Sequence, residues 1–461
     1  MKIEKFPKLY IGDKKIVWDS RQLTELAKKE INFLFHEDQK DRPELSFCYL
    51  PKLFPDELSY RNFFAKQCHE AVGKASEKFK VIGVTGTNGK SSCVHIIRSL
   101  LVKKFGRIAQ LGTEGLSVWE DGKKILDCEL GWTTPEAPVL HNICRYLFEQ
   151  GVNVLVLEIS SHGLELARIG GLDIDAALFT NLSQDHLDFH SNMESYYQAK
   201  KKLFSFYLKE DATALINIEE EFSQRLFNEL KDKRKNLLSL DQSFYKFKAK
   251  SLDGSKIILG DGRLIETNLI GDYNLRNLCC SLQLLEVFLQ KKLFEDQKNI
   301  QINIPGRLNL VSSLGPKVFV DFAHSQNSLE LVLKELKTFK SREARLIVVF
   351  GCGGDRDRKK RSFMGEVAAA HSDQIILTND NPRTEDPLKI IADIELGLKK
   401  SHFDEYKIIV NRKQAIEEAL KAACAEDIVL VAGKGNENYQ VIGKEKFKFS
   451  DRNEILKLTK S

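Results

Sequence analysis

The stretch Val81–Ser92, VIGVTGTNGKSS, constrains the fold more than any other part of the chain. Val81–Val84 is typical of a short buried strand, Thr85–Ser91 supplies a glycine loop, and a run with apolar residues at helical spacing follows. A strand, a glycine loop and a helix N-terminus together cradle phosphate, because backbone N–H groups turn toward the anion. We expect Lys90 to reach the β- and γ-phosphates and the Ser91 hydroxyl to ligate Mg²⁺.

Length and charge narrow the class of protein. The chain has 461 residues, which corresponds to about three domains at ~150 residues each. Its 70 basic and 65 acidic residues nearly cancel, so nucleic acid is not a predicted partner. The nine cysteines form no C-x-x-C pair, which is typical of reduced thiols in a cytoplasm. Because no apolar run approaches about 18 residues, we expect no membrane insertion and a cytoplasmic protein, acting as a monomer.

Apolar runs of strand length alternate with helical segments from Val81 onward, which predicts parallel α/β architecture with both sheet faces covered. The predicted central strands are Arg107–Leu111, Val152–Ile159, Ala176–Thr180 and Thr213–Ile218. Hairpins are expected within Phe247–Ile270 and a helix over Asn274–Leu289. A second α/β series follows, with strands at Lys317–Asp321, Arg345–Gly351, Gln374–Leu377, Tyr406–Val410 and Ile428–Ala432.

These patterns predict an α/β protein of three domains. A small N-terminal α/β domain covers 1–78. A central P-loop ATPase domain with a parallel sheet covers 79–302, and a C-terminal Rossmann-like α/β domain covers 303–461. Ligands are expected at the carboxyl ends of the parallel sheets.

Polar residues follow several predicted strands at that edge. Glu158 ends an apolar strand, where a carboxylate beside a phosphate loop can hold Mg²⁺; an N-cap or a salt bridge is the alternative. His186 also follows a buried strand and is a candidate ligand for a second metal, or else a structural histidine. The three lysines of Lys200–Lys202 are, on physical grounds alone, a solvated helix face.

Three loops of the C-terminal half also follow predicted strands. In Gly353–Asp357, the two glycines allow the backbone to approach a ligand closely, and Arg356 suits a carboxylate or phosphate. In Asp380–Arg383, proline stiffens the loop and Arg383 offers a guanidinium for bidentate carboxylate binding. Gly433–Glu437 adds Asn and Glu at the same edge. Each loop alone could be a surface turn, but together they predict a zwitterionic ligand.

The motifs, in this order, resemble the Mur ligase family of ATP-dependent amino-acid ligases over about residues 80–461. The motifs that carry the resemblance are TGTNGKSS, Thr133–Pro138, Glu158–Gly163, Asn181–Asp188, Gly271–Asn277, Pro305–Arg307 and Asp321–His324. Within the family, Gly353–Asp357 and Asp380–Arg383 resemble the MurE branch, which adds the third residue of the peptidoglycan stem peptide. The Asp-Asn-Pro-Arg form is the one associated with meso-diaminopimelate rather than lysine.

The resemblance implies a role for individual residues. ATP phosphates would be bound by Gly86, Thr87, Asn88, Gly89, Lys90, Ser91 and Ser92, and the rest of the nucleotide by Asn274, Asn277, Arg307 and Asp321. Ser91 and Glu158 would hold one Mg²⁺, and His186 with a carbamylated Lys200 a second. Domain 1–78 would be the UDP-substrate domain, in a shortened and divergent form. Contacts to UDP-MurNAc-L-Ala-D-Glu would come from Ser20, Thr133, Thr134, Ser160 and Arg168. Diaminopimelate would be bound by Arg356, Asp380, Asn381, Pro382, Arg383, Gly433 and Glu437.

The chain departs from the family pattern in a few places. Gln22–Phe35 lacks the usual Pro-Gly turn and strand, Leu166 stands where glutamine is frequent, and Asn436 replaces a histidine. Ser325 and Asn327 replace a threonine and an aspartate. None of these changes removes an ATP or metal ligand.

Alternatives remain at the level of sequence. One is the same step with L-lysine, or another Mur or folylpolyglutamate-type ligase, which the Asp380–Arg383 loop argues against. An inactive nucleotide-binding paralogue with a scaffold role is opposed by the intact Lys90 and Glu158. A P-loop kinase or GTPase would not be expected to carry a second α/β domain with three anion-binding loops.

Overall fold

A computed structural model describes residues 56–187, 189–240, 243–294, 298–313 and 315–459, with the backbone of four earlier strands. Those strands pair antiparallel in the order β2-β1-β3-β4, and they are β1 (Lys8–Ile11), β2 (Lys15–Ile16), β3 (Asn32–His36) and β4 (Leu45–Cys48). The chain divides into two compact units. The first takes the described residues up to 246, with 258–265 and 276–298; the second takes 247–257, 266–275 and the described residues from 299 onward. The three-domain boundaries stay predictions.

The first unit is built on an eight-stranded sheet of order β12-β11-β10-β5-β9-β6-β7-β8. Its strands are β5 (Lys80–Thr85), β6 (Arg107–Gly112), β7 (Gly115–Glu120), β8 (Lys123–Cys128), β9 (Val154–Glu158), β10 (Ile174–Phe179), β11 (Leu208–Asn217) and β12 (Leu237–Leu240). Six strands are parallel, which confirms the four predicted central strands. The antiparallel pair β7 and β8 was not predicted.

Helices connect these strands and cover both sheet faces. They are α1 (Glu57–Ala71), α2 (Lys90–Phe105), α3 (Ala137–Glu149), α4 (Ser161–Glu165), α5 (Met193–Lys202) and α6 (Glu221–Leu230). A single π-helical turn, Leu203–Tyr207, continues α5. All residues of β9 and β10 are buried, as expected for parallel strands packed on both faces.

A small sheet of order β13-β14-β15-β16 and a long helix follow. They are β13 (Tyr245–Ser251), β14 (Gly254–Leu259), β15 (Leu264–Thr267), β16 (Lys298–Ile300) and α7 (Asp272–Phe288). The predicted hairpins and helix are confirmed. The division into units runs through these elements, so that Asn274 falls in the second unit and Asn277 in the first.

The second unit is a six-stranded sheet of order β17-β18-β22-β19-β20-β21, parallel except for β17. Its strands are β17 (Asn309–Ser312), β18 (Lys317–Asp321), β19 (Leu346–Phe350), β20 (Gln374–Leu377), β21 (Tyr406–Ile408) and β22 (Ile428–Ala432), with a hairpin of β23 (Tyr439–Ile442) and β24 (Glu445–Lys448). Its helices are α8 (Gln326–Phe339), α9 (Lys359–His371), α10 (Pro387–Lys400), α11 (Arg412–Ala422) and α12 (Asp451–Thr459). All five predicted strands are confirmed.

Two buried clusters lie on opposite faces of this sheet. Phe319, Val348 and Leu430 pack with one set of helices, and the alternate residues Val320, Val349 and Val431 pack with another. This alternation follows from the two-residue period of a strand. Of the described helices, none is long and apolar enough to cross a bilayer.

Candidate active site

The glycine loop between β5 and α2 has the backbone of a phosphate cradle. Gly86 has φ +148° and Gly89 has φ +85°, conformations that side chains with a Cβ rarely adopt. A Cβ on Gly86 would lie 1.9 Å from Thr180 Oγ1, and one on Gly89 would lie 3.0 Å from Asn277 Oδ1. Lys90 begins α2 and folds back, because its Nζ donates to the carbonyl of Gly86 at 3.0 Å and to that of Thr87 at 2.8 Å.

The loop that follows β10 holds the glycine loop in shape. Asn181 accepts a hydrogen bond from the Asn88 N–H at 2.9 Å and donates to the Asn88 carbonyl at 3.0 Å. Thr180 Oγ1 donates to the same carbonyl at 2.6 Å, and the Thr87 N–H donates to the Asn181 carbonyl at 2.9 Å. The two loops follow the adjacent strands β5 and β10, so these hydrogen bonds hold the two loops in place against each other.

Glu158, at the carboxyl end of β9, lies directly beside this loop. It is 1% exposed, and its Oε2 accepts hydrogen bonds from Ser91 Oγ and Thr113 Oγ1, both at 3.1 Å. A Cβ on Gly112 would lie 2.3 Å from Glu158 Oε1, so glycine at the end of β6 leaves room for the carboxylate. A buried carboxylate next to a hydroxyl offers oxygen ligands that Mg²⁺ prefers.

Lys200 on α5 is brought to the same loop. Its side chain is 1% exposed, and its Nζ donates to the Gly86 carbonyl at 2.7 Å and lies 4.7 Å from the centre of the Tyr196 ring. Burial, reinforced by the positive charge of Lys90 and opposed by Asp185, holds the pKa of Lys200 well below its ordinary value. The site therefore shifts the amine toward its neutral, nucleophilic form.

His186 also lies close to the Tyr196 ring. The two ring centres are 6.2 Å apart, and the His186 backbone has φ +52°. The His186 side chain is 45% exposed and its Nε2 lies 3.6 Å from Asp185 Oδ2. Within the described ranges, no group of three or more His, Cys, Asp or Glu is arranged to hold a metal. Of the donors predicted for the metals, only Glu158 and His186 are of these types, and the others are the hydroxyl of Ser91 and the amine of Lys200.

The residues predicted for the rest of the nucleotide are distributed over the two units. In the first, Asn277 packs against Gly89. In the second, Asn274 is 1% exposed and its Oδ1 has no hydrogen-bond partner among the described residues. Asp321 accepts hydrogen bonds from the N–H groups of Leu308 at 2.5 Å and Ala323 at 2.7 Å. Burial raises the pKa of the Asp321 carboxyl.

Arg307 stacks on an aromatic ring in the second unit. Its guanidinium carbon lies 4.5 Å from the centre of the Phe322 ring, a cation–π contact.

Four of the five residues predicted for the UDP-substrate form one network in the first unit. Thr134 Oγ1 lies 3.1 Å from Ser160 Oγ, and Arg168 donates to the Thr134 carbonyl at 3.0 Å. Thr133 Oγ1 lies 3.1 Å from Thr113 Oγ1, which links the network to Glu158. Ser20 lies outside the described residues.

The three loops of the second unit predicted to bind an amino acid contact one another. Arg383 Nη1 donates to the Gly354 carbonyl at 2.7 Å, and the Gly354 N–H donates to the Asn381 carbonyl at 2.9 Å. Asn381 Nδ2 donates to Glu437 Oε2 at 2.9 Å. Gly353–Asp357, Asp380–Arg383 and Gly433–Glu437 therefore meet at the carboxyl edge of β19, β20 and β22, as predicted.

Two features of this loop cluster leave room for a ligand. Gly433 has φ +111°, and a Cβ there would lie 2.7 Å from Asp380 Oδ2. That Asp380 oxygen is buried and has no hydrogen-bond partner in the described part of the chain. Arg356 is exposed, and Pro382 packs its carbonyl against Gly354.

Sequence reasoning missed three residues that shape these sites. Thr113 donates a hydrogen bond to Glu158. The sequence signal that could have identified it is a hydroxyl just beyond a predicted parallel strand. Lys434 is fully buried, with its Nζ 2.7 Å from Glu437 Oε2 and 3.1 Å from Asn381 Oδ1. Lys434 lies in the Gly433–Glu437 motif, but a lysine between glycines gives no signal of burial. Thr180 directly follows β10 and donates a hydrogen bond to the Asn88 carbonyl.

Comparison with known proteins assigns most of the chain to one family. The model of the Mur ligase middle domain matches residues 84–285, and that of the Mur ligase glutamate ligase domain matches residues 306–435. A protein of Aquifex aeolicus named UDP-N-acetylmuramoyl-L-alanyl-D-glutamate–2,6-diaminopimelate ligase is 38% identical over 400 residues, covering 85% of this chain and 80% of its own length. This chain belongs to the Mur ligase family. A Clostridium botulinum protein of the same name is 34% identical over 438 residues, covering 92% of this Mur ligase and 86% of the relative.

Solved structures agree with this Mur ligase assignment. A structure bearing that same ligase name has 32% identity and a TM-score of 0.58, and covers 87% of this chain and 82% of its own. The Mycobacterium tuberculosis folylpolyglutamate synthase complexed with ADP has a TM-score of 0.64 at 16% identity, over 81% of this Mur ligase and 91% of that chain. The second likeness shows the shared fold.

Proposed function

We propose that this Mur ligase adds meso-diaminopimelate to UDP-MurNAc-L-Ala-D-Glu, with hydrolysis of ATP to ADP and phosphate, in peptidoglycan precursor biosynthesis. The observation that carries the proposal is the joined cluster of Gly353–Asp357, Asp380–Arg383 and Gly433–Glu437. Relatives of 34–38% identity that bear the name of this ligase support it. We place the reaction in the cytoplasm, where ATP is available.

The proposed chemistry has two steps. A D-glutamyl carboxylate oxygen attacks the γ-phosphorus of ATP, and the bond from that phosphorus to the β,γ-bridging oxygen breaks. ADP is the leaving group, and the product on the substrate is an acyl phosphate. The amine of diaminopimelate then attacks the acyl carbon, loses a proton, and phosphate departs. Lys90 and the N–H groups of the glycine loop stabilise the charge on the transferring phosphoryl group.

Divalent cations would be held beside the glycine loop. Ser91 and Glu158 would hold one Mg²⁺, and His186 with a carbamylated Lys200 a second; such ions, when bound, neutralise phosphate charge. Carbamylation joins CO₂ to the amine with loss of a proton, and it requires the neutral amine that the lowered pKa of Lys200 favours. Structural relatives that carry ADP, or Mn with AMPPNP, support the nucleotide and the divalent metal.

The two substrates would take the remaining predicted residues. Thr133, Thr134, Ser160 and Arg168 would contact the UDP-substrate, as would Ser20. Arg383 would pair with the second carboxylate of diaminopimelate, which lysine lacks. Losing a hydrogen-bonded pair between two charged groups costs about 1.5–3 kcal/mol, so lysine would be discriminated against by at least about tenfold.

An Arg383→Ala variant tests the assignment of the amino-acid site. We expect the KM for diaminopimelate to rise by about tenfold or more, with the KM for ATP unchanged, in an assay of ADP release. Lys389→Ala, at an exposed position of α10, is the control and should behave as the wild type. Unchanged use of diaminopimelate by the Arg383 variant would contradict the proposed site.

A further inference from the structure

A fully buried arginine lies behind the loops that the proposed function assigns to the amino-acid substrate. Arg412 is the first residue of α11 and is 2% exposed, with its side chain fully enclosed. Asn411 caps the helix by accepting a hydrogen bond from the Gln414 N–H at 3.2 Å, which fixes where α11 begins. No motif drew attention to this residue.

The guanidinium of Arg412 joins three separate segments. Its Nε and Nη2 donate to the two carboxylate oxygens of Asp451, at 2.7 and 2.8 Å, and Asp451 begins α12. Nη2 also donates to the carbonyl of Ala432 at 2.8 Å, directly before Gly433. Nη1 donates to the Asn379 carbonyl at 3.4 Å and lies 3.9 Å from Asp380 Oδ2. The loops after β20 and β22 are therefore attached to one cation.

The Asp451 partner is itself held firmly. Its side chain is fully buried, and Ile455, one turn later in α12, is fully buried in the cluster that contains Ile416 and Val431. A fixed carboxylate orients the guanidinium bidentately, which a single ammonium could not match. The orientation of Asp380 then depends on a cation whose position is set by the C-terminal helix.

We propose that Arg412 and Asp451 are a positioning pair for the amino-acid substrate, setting Asp380 and the Ala432–Gly433 backbone in the geometry that binds it. Neither residue is assigned contact with the substrate. Because the Asp380 Oδ2 lacks a hydrogen-bond partner in the described residues, it is available to a cationic amine of the incoming amino acid. Arg412 neutralises part of the charge of the Asp380 carboxylate and fixes the direction in which that carboxylate points.

The same unit offers a matched control pair. Arg345 donates to Asp427 Oδ2 from Nε at 3.1 Å and from Nη2 at 2.6 Å, and also to the Ala422 carbonyl at 2.6 Å. Asp427 directly precedes β22, so this pair lies at the amino edge of the sheet, opposite the ligand loops. Arg345→Lys therefore removes equivalent hydrogen bonds without touching the loops.

Steady-state kinetics of ADP release, with each substrate varied in turn, test the inference. Arg412→Lys keeps the charge but loses the bidentate geometry, and we expect the KM for diaminopimelate to rise about tenfold while the KM values for ATP and the UDP-substrate change less than about twofold. Arg345→Lys should leave all three values unchanged. Asp451→Asn should reproduce the selective rise, and it replaces the first variant if Arg412→Lys does not fold.

The outcomes separate this inference from the function on which it rests. If the wild type does not use diaminopimelate, the proposed function fails. If the wild type uses it and Arg412→Lys and Asp451→Asn leave its KM unchanged, the positioning role is overturned. Equal changes in all three KM values, or the same selective rise in Arg345→Lys, would indicate general structural support and would also overturn it.

Discussion

Three consecutive lysines show where residue-level prediction from sequence stops. Lys201 pairs with Glu229 at 2.6 Å and Lys202 with Glu165 at 2.7 Å, as expected for a polar helix face. Lys200 between α5 and the glycine loop is buried instead. The sequence does not distinguish the three lysines, because it does not show which side of α5 packs against the glycine loop. Only the family resemblance singled out Lys200.

The proposed carbamylation predicts that activity depends on CO₂. Protein held in CO₂-free buffer should lose at least about tenfold in ADP-release activity, and added bicarbonate should restore it, because a metal ligand is lost and regained. Labelled bicarbonate should give a carbamate signal in ¹³C NMR. Lys201→Ala should keep both behaviours, whereas Lys200→Ala should lose the signal. A carbamate signal that persists in Lys200→Ala would contradict the assignment.

The lowered pKa of Lys200 also predicts a pH dependence of stability. In CO₂-free buffer, at pH values between the lowered pKa of the folded chain and the ordinary pKa of 10.5, the unfolded chain binds more protons at this amine than the folded chain does. Stability of the wild type therefore rises with pH in this window, and Lys200→Met should be more stable near neutrality by about 1 kcal/mol or more. The difference should shrink toward pH 10.5. Denaturant unfolding of both proteins at several pH values measures it, and a constant difference would contradict the prediction.

The strand–loop–helix element around Gly86 is the best-predicted part of the molecule. Its strand, glycines and helix start follow from sequence, since each depends on local backbone geometry. The loop's shape additionally depends on Thr180 and Asn181, which are more than 90 residues away and have no local signal for that contact.

Close packing at Gly86 makes a prediction for that element. Gly86→Ala should lower ATP-dependent ADP release by about a hundredfold, because the methyl group would displace the loop from Thr180 by an ångström or more. Gly122→Ala, also at positive φ (+79°) but with no atom within 4 Å, should cost only stability. Nucleotide titration calorimetry and kinetics on both variants check this. Equal loss of nucleotide binding in both would contradict the role of the close contact.

Two strands that were not predicted, β8 and β24, share a physical cause. β8 is mostly exposed and β24 is fully exposed, so neither shows the apolar run that marks a buried parallel strand. Helix α10 was not among the predicted elements either, although its start carries readable signals: Asp386 accepts a hydrogen bond at its N-cap and Pro387 is its first residue.

At the scale of the whole molecule, order along the chain carried more information than any single motif. A glycine loop predicts phosphate binding but not its acceptor, and the loops that would select the amino acid lie about 270 to 350 residues further on. The family models match both halves in that order, at residues 84–285 and 306–435. The predicted domain 1–78 and its UDP contacts, including Ser20, stay predictions.

The most direct test of the proposed ligase is ADP release from ATP with UDP-MurNAc-L-Ala-D-Glu, comparing meso-diaminopimelate with L-lysine. Lys90→Ala serves as the blank, since loss of the phosphate-binding cation should abolish turnover. We expect ADP release that requires the UDP-substrate and is at least about tenfold more efficient, in kcat/KM, with diaminopimelate. Equal or greater efficiency with lysine, or no turnover with either amino acid, would contradict the account.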